Sequence, residues 1–208
     1  MVTGAAKVTW VDRVNGFARR VPTWVLYVLY LMPVPYLLYL AQTGGLGREP
    51  IKALEHELGE IALQLLIIGL TITPLRRFLG LNFLKFRRMF GLLAFTYVAL
   101  HLLVWLVLDV GILSQIWADI IKRPYITIGM GAFVLLIPLA ITSNNWSVRK
   151  LGPGWRKLHR LSYVAVLLGG VHYVMLTKTW ALEPMLYLAV ILGLLALRLP
   201  KARQSKTA

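Results

Sequence analysis

The sequence contains no cysteine, which excludes disulfides, thiolate metal sites, iron–sulfur clusters and covalently attached c-type haem. Acidic residues are scarce too: eight Asp and Glu stand against 23 Lys and Arg in 208 residues, a formal net charge of +15. No Ser/His/Asp arrangement, glycine-rich phosphate loop, internal repeat or low-complexity tract is found, and no polar stretch has room for a second domain. The first 21 residues lack an apolar core followed by a small-residue cleavage site, so no cleavable signal is expected and the first apolar helix stays in the mature chain.

What remains is strongly apolar: 58% of residues are hydrophobic and 15% charged, which is the composition of a bilayer protein. A span of about 30 Å needs roughly 20 apolar residues at about 1.5 Å each. Six runs approach that length: Pro22 to Ala41, Leu58 to Leu75, Met89 to Leu108, Tyr125 to Thr142, Leu158 to Leu176 and Pro184 to Leu199. The expected fold is therefore an all-α membrane protein, a bundle of six transmembrane helices over 22–199. Segment 1–21 forms an N-terminal cytoplasmic arm and 200–208 a cytoplasmic tail.

The cations set the orientation, because Lys and Arg near helix ends accumulate on the cytoplasmic side. Eighteen of the 23 fall in the N-terminal arm, the loops after the second and fourth runs, and the tail, among them Lys7, Arg76, Arg77, Arg87, Arg88, Arg149, Lys201, Arg203 and Lys206. The opposite loops hold only Arg48, Lys52, Lys122, Arg123 and Lys178. Both termini are expected in the cytoplasm. The basic charge is thus explained by topology, and nucleic acid is not expected as a partner.

Within the runs, Pro33 and Pro35 are expected to kink the first helix. Pro124 suits the first turn of the fourth, Leu54 to Glu60 reads as interfacial, and Gly152-Pro153-Gly154 breaks the chain before the fifth. Trp105, Trp117, Trp155 and Trp180 lie near expected interfaces, where amphipathic aromatics anchor helices.

The four histidines carry the chemical signal. His101, twelve residues after Met89, stands about 18 Å above the cytoplasmic edge, and His172, fourteen after Leu158, about 21 Å above it. Two imidazoles at matching depth on different helices have the geometry of bis-histidine haem ligation; the alternative is a helix-to-helix hydrogen bond. His159 sits at the cytoplasmic mouth of the fifth run, as a cofactor contact or an interfacial residue, with no histidine of the third run at its depth. On one continuous helix it would point about 140° away from His172. His56, beside Glu55, Glu57 and Glu60, is the weakest candidate and fits a solvated, pH-sensitive residue equally well.

Several motifs carry a resemblance: Gly44-Gly45-Leu46-Gly47 with Pro50, His56-x-x-Gly59, Thr73-Pro74-Leu75, Arg87-Arg88 with Gly91-Leu92, Leu100-His101-Leu102, Arg123-Pro124-Tyr125, Trp155 with Lys157-Leu158-His159, and Val171-His172-Tyr173. Across nearly the whole chain the sequence resembles the MsrQ family, formerly YedZ, within the wider ferric reductase-like transmembrane group. That family is the haem-binding bacterial inner-membrane subunit of a periplasmic methionine-sulfoxide reductase system. The resemblance implies that His101, His159 and His172 are haem-iron ligands, with haem b, one or two, and FMN as cofactors. It further implies a periplasmic methionine-sulfoxide reductase catalytic subunit as partner and the quinone pool or a flavin reductase as electron donor. Arg77, Arg87 and Arg88 are candidate contacts for flavin phosphate or haem propionate, although inside-positive topology also accounts for them. The expected function is electron transfer serving a catalytic partner, in the repair of oxidised periplasmic proteins. The alternative is a small transporter or assembly protein that uses the intramembrane histidines without haem. It is the poorer fit, because no carboxylate lies at the midplane.

Overall fold

The computed structural model describes residues 8–177 and 181–198; Lys7, Lys178, Trp180, Lys201, Arg203, Lys206 and the 200–208 tail lie outside the described residues. Every regular element among them is helical. The N-terminal arm, expected only as a polar segment, contains a strongly amphipathic helix, α1 (Trp10–Arg20). Thr9 caps it: its hydroxyl accepts from the Asp12 N–H, while the Asp12 carboxylate accepts from the Thr9 N–H. Asn15 then ties this helix to a turn far along the chain, donating to the Gly80 carbonyl at 3.0 Å and accepting from the Asn82 N–H at 2.7 Å.

The first apolar run becomes two helices, α2 (Thr23–Leu31) and α3 (Pro33–Thr43), divided where Pro33 and Pro35 remove two N–H donors. The second run is much longer than its hydropathy suggests. α4 (Pro50–Leu79) is one 30-residue helix with Pro50 in its first turn, so the Leu54–Glu60 stretch is the beginning of that helix. Gly80, at φ +71°, takes the left-handed conformation that ends it.

α5 (Arg87–Leu103) runs directly into a π-helical stretch, Val104–Val110, before Gly111 stops it. A second amphipathic helix, α6 (Leu113–Lys122), leads to α7 (Pro124–Ile141), with Pro124 in its first turn as expected. Two short helices, α8 (Asn145–Leu151) and α9 (Pro153–Leu158), precede α10 (Leu161–Leu176) and α11 (Leu182–Ala196).

Four segments among the described residues are long and apolar enough to cross a membrane: Thr23–Thr43, Pro50–Leu79, Leu84–Val110 and Pro124–Ile141. The chain is a multi-pass membrane protein. The fifth and sixth expected spans correspond to α10 and α11, which are shorter at 16 and 15 residues.

α4 pairs with α5 and α7 pairs with α10 over the most extensive contacts, and the two pairs meet where α5 packs on α7 and α4 on α10. Ala94 on α5 and Ala165 on α10 are fully buried, where small residues let helices approach closely. Tyr97, also fully buried, donates its hydroxyl to the Tyr30 carbonyl at 2.7 Å and so fixes α2 against α5. Large apolar side chains such as Val28, Leu29, Leu103, Val134 and Leu192 face outward, as lipid contact requires.

Candidate functional site

Between the two helix pairs lies a cavity of about 440 Å³, within the roughly 300–1,000 Å³ range of cofactor and ligand sites. His101 of α5 and His172 of α10 both line it. Their ring centres are 6.2 Å apart and their planes cross at 81°. The histidines that matching depth singled out are therefore brought face to face.

Each imidazole is held the same way by a neighbouring helix. His101 Nδ1 lies 2.8 Å from the Glu55 carbonyl oxygen of α4, and His172 Nδ1 lies 2.7 Å from the Tyr125 carbonyl oxygen of α7. A carbonyl only accepts, so Nδ1 carries the proton in both rings and Nε2 keeps its lone pair. One helical turn past each carbonyl stands a glycine, Gly59 after Glu55 and Gly129 after Tyr125. A Cβ on Gly59 would come within 3.0 Å of His101 Nδ1, and one on Gly129 within 2.8 Å of His172 Nδ1. The imidazoles lie against bare helix backbone, where no other residue type leaves room.

The arrangement fits a haem. An imidazole nitrogen sits about 2.0 Å from a bound metal and about 1.2 Å from its own ring centre, so two rings on opposite sides of one metal have centres about 6.4 Å apart. Among the described residues no three His, Asp or Glu side chains gather as a bare ion would require. Two neutral imidazoles suit a metal that arrives with four nitrogens of its own.

One end of the cavity is polar. Lys52, Glu55, His56, Asp109 and Arg123 line it there, with Lys52 paired to Glu49 at 3.1 Å and Arg123 to Asp119 at 3.2 Å. Trp105, read from sequence as an interfacial anchor, is 7% exposed and forms part of the wall. Trp105, four residues after His101, shares its face of the helix, and the π-helical stretch that begins at Val104 changes the angular register so that Asp109 also reaches the cavity side.

His159 stands elsewhere. The helix breaks at His159–Arg160 before α10 begins, so an angle to His172 measured along one continuous helix does not apply. Its ring stacks on Trp155 with centres 3.9 Å apart, and its Nε2 lies 3.0 Å from the Thr142 hydroxyl oxygen. That hydroxyl donates to the Pro138 carbonyl, so His159 Nε2 is the donor to Thr142. Trp155 in turn donates to the Thr142 carbonyl at 2.9 Å. No second histidine meets His159. Arg77 reaches the Leu197 carbonyl, Arg88 reaches Asn145, and Arg87 opens α5; none of the three lines the cavity. Trp117 is exposed on α6.

Sequence reasoning gave no role to Gly59, Tyr125 or Gly129. The only trace of them in the sequence is glycine inside an apolar helix, and α4 and α7 each carry two, Gly59 and Gly69, Gly129 and Gly131.

Residues 28–170 match the family described as ferric reductase like transmembrane component. The chain is 48% identical over 186 residues to a Brucella anthropi protein named protein-methionine-sulfoxide reductase heme-binding subunit MsrQ, covering 88% of this chain and 84% of that protein. It is likewise 48% identical over 179 residues to the Brucella ovis and Brucella suis proteins of the same name, covering 86% of this chain and 81% of each. No solved structure gives a significant match.

Proposed function

Because the chain belongs to the ferric reductase-like transmembrane family and, within it, to the MsrQ haem-binding subunits, we propose that it is a haem b electron-transfer subunit serving a periplasmic methionine-sulfoxide reductase. The observation that carries this reading is the pair of imidazoles 6.2 Å apart, each with Nδ1 tied to a backbone carbonyl and Nε2 left to a metal. A haem held there supplies one-electron iron chemistry.

The chain's own residues do the rest. His101 and His172 would hold the haem iron through Nε2, and their carbonyl partners fix tautomer and ring direction in advance. An iron held by both imidazoles would serve electron transfer, and sulfoxide reduction would belong to the partner. Lys52 and Arg123, the cations at the polar end of the cavity, are the proposed partners of the propionate carboxylates. Leu63, Leu66 and Leu136 keep the inner wall apolar and exclude water, which with ligand identity tunes the potential.

Electrons enter from the quinone pool or from a flavin reductase, with FMN as the second cofactor. Arg77, Arg87 and Arg88 are the proposed phosphate contacts on the cytoplasmic side. His159 is the ligand proposed for a second haem there; with Nε2 donating to Thr142, Nδ1 keeps the lone pair that would bind one. The six-span arrangement with both termini in the cytoplasm of a bacterial inner membrane belongs to the same proposal, and it places the polar end of the cavity toward the periplasmic partner.

The test is an oxidised-minus-reduced absorbance spectrum of the purified protein, with haem and flavin quantified per chain. A low-spin b-type spectrum is expected, lost in His101→Ala and in His172→Ala and largely kept in His56→Ala. Full haem retention in both of the first two variants would remove the ligand assignment. A colourless wild-type protein expressed with ample haem would favour the transporter or assembly alternative.

A further inference from the structure

α4 carries a second polar constellation, on the face it turns toward α11. Gln64 Nε2 donates to Glu60 Oε1 at 2.9 Å and to the Tyr187 hydroxyl oxygen at 2.8 Å, and that hydroxyl donates to the same Glu60 oxygen at 2.9 Å. Gln64 is exposed on a helix long and apolar enough to cross a membrane, where a polar group facing hydrocarbon is unfavourable and marks function. The Leu186 and Val190 side chains, exposed on α11, give the neighbouring surface an apolar character.

Donors and acceptors in this triad do not balance. A carboxylate only accepts, so the amide nitrogen of Gln64 must be the atom facing Glu60. All three available hydrogens, two from the amide and one from the phenol, are then spent inside the triad. Glu60 Oε2 and Gln64 Oε1 have no donor among the described residues, and both are strong acceptors. The ligand that completes them must bring two hydroxyl or amine hydrogens, carry no negative charge, and partition into the bilayer. A choline headgroup fails because it has no hydrogen to give, and an ethanolamine headgroup brings its phosphate charge with its ammonium. A hydroquinone with an alkyl or isoprenoid tail meets all three requirements.

The constellation also reaches the cavity. Tyr173 stands edge-on to Tyr187 with ring centres 5.5 Å apart, and both Tyr173 and Glu60 line the space between His101 and His172. We infer that Glu60, Gln64 and Tyr187 form the binding site for the reduced form of a membrane quinone, opening to the bilayer beside the cavity. This inference rests on the electron-transfer reading above and names the place where its donor binds.

Site chemistry also sets the direction of transfer. Oxidation of the hydroquinone to the quinone releases two electrons and two protons, and the Glu60 carboxylate is the nearest proton acceptor. The oxidant is the sulfoxide at the partner enzyme, which takes two electrons and two protons to give a thioether and water. Glu60 takes the two protons in turn and passes each on; once it is a carboxylate again, the product quinone has two carbonyl acceptors facing two acceptors, so it leaves.

The experiment uses the haem-loaded full chain in nanodiscs of neutral phospholipid. It is titrated calorimetrically with decyl-benzohydroquinone and, separately, with decyl-benzoquinone. The hydroquinone is expected to bind at least tenfold more tightly than the quinone. Gln64→Leu should weaken hydroquinone binding at least tenfold, and the milder Tyr187→Phe about threefold or more, with the haem spectrum unchanged in both. Equal affinity for the two redox forms, or wild-type hydroquinone binding in both variants, overturns the inference. Haem per chain is read on the same samples, so a protein without haem that still discriminates the redox forms overturns the electron-transfer reading and sustains the binding site.

Discussion

Gly59 and Gly129 hold the two imidazoles by being absent beyond Cα. An alanine at either position puts a methyl group against Nδ1, at 3.0 Å for Gly59 and 2.8 Å for Gly129, and the ring must rotate or retreat from its carbonyl. Loss of such an outer-shell hydrogen bond lowers metal affinity by about 10–100-fold in comparable sites. Gly129→Ala is accordingly expected to weaken haem binding by about that factor, and Gly59→Ala by less, because its contact is longer. Haem titration of the purified apoprotein checks both, and wild-type affinity in Gly129→Ala would show that the ring is not confined as described. At this scale the facing of His101 and His172 was legible in the sequence, since an intramembrane histidine is rare and two at one depth form a pair. Their supports were not. A backbone carbonyl has no sequence signature, and a glycine inside a helix reads as a weak position until its neighbour is known.

At the scale of elements, proline creates a demand that a distant arginine meets. Pro74 lies inside α4 and has no N–H to give the carbonyl four residues earlier, that of Leu70. Arg198, just past the end of α11, donates one guanidinium nitrogen to that carbonyl and another to the Tyr163 hydroxyl at 2.7 Å. The cation thus fastens α11 to α4 and α10. Replacing it with leucine leaves the Leu70 carbonyl without a donor in apolar surroundings, which costs roughly 1–3 kcal/mol. Arg198→Leu should therefore lower the thermal midpoint in detergent while leaving the ratio of haem to folded chain intact. An unchanged midpoint would show that the bond carries no stability. Charge counting used Arg198 only as a marker of orientation and gave it no partner, because that partner is a carbonyl freed 128 residues away. The π-helical stretch after His101 was hidden for a related reason: its residues, Val-Trp-Leu-Val-Leu-Asp-Val, differ in nothing from an ordinary apolar helix. The amphipathic α1 was readable by periodicity and was passed over because its cations were counted and its apolar face was not.

For the whole molecule, length and charge pull in different directions at the C-terminal third. By length, α10 and α11 reach about 24 and 22 Å at about 1.5 Å per residue, short of the roughly 30 Å of a bilayer core. By charge, they are flanked by cation-rich segments on one side and a cation-poor loop on the other, as crossing helices are. Site pairing favours crossing, since His172 on α10 must reach the depth of His101 on the much longer α5. Shorter spans are accommodated by local thinning of the bilayer and by packing against longer neighbours. The absence of cysteine makes the test clean, because each introduced thiol is the only one in the chain. Arg48→Cys, Ser114→Cys and Glu183→Cys should react with a membrane-impermeant maleimide in intact spheroplasts. Arg76→Cys, Arg149→Cys and Lys206→Cys should react only after lysis. The decisive pairs are Arg149 with Glu183 across α10 and Glu183 with Lys206 across α11. Labelling of both members of either pair from the same side would mean that the intervening helix does not cross, whereas alternation through all six positions is compatible only with a bundle in which the two short helices span a thinned bilayer beside α4 and α7.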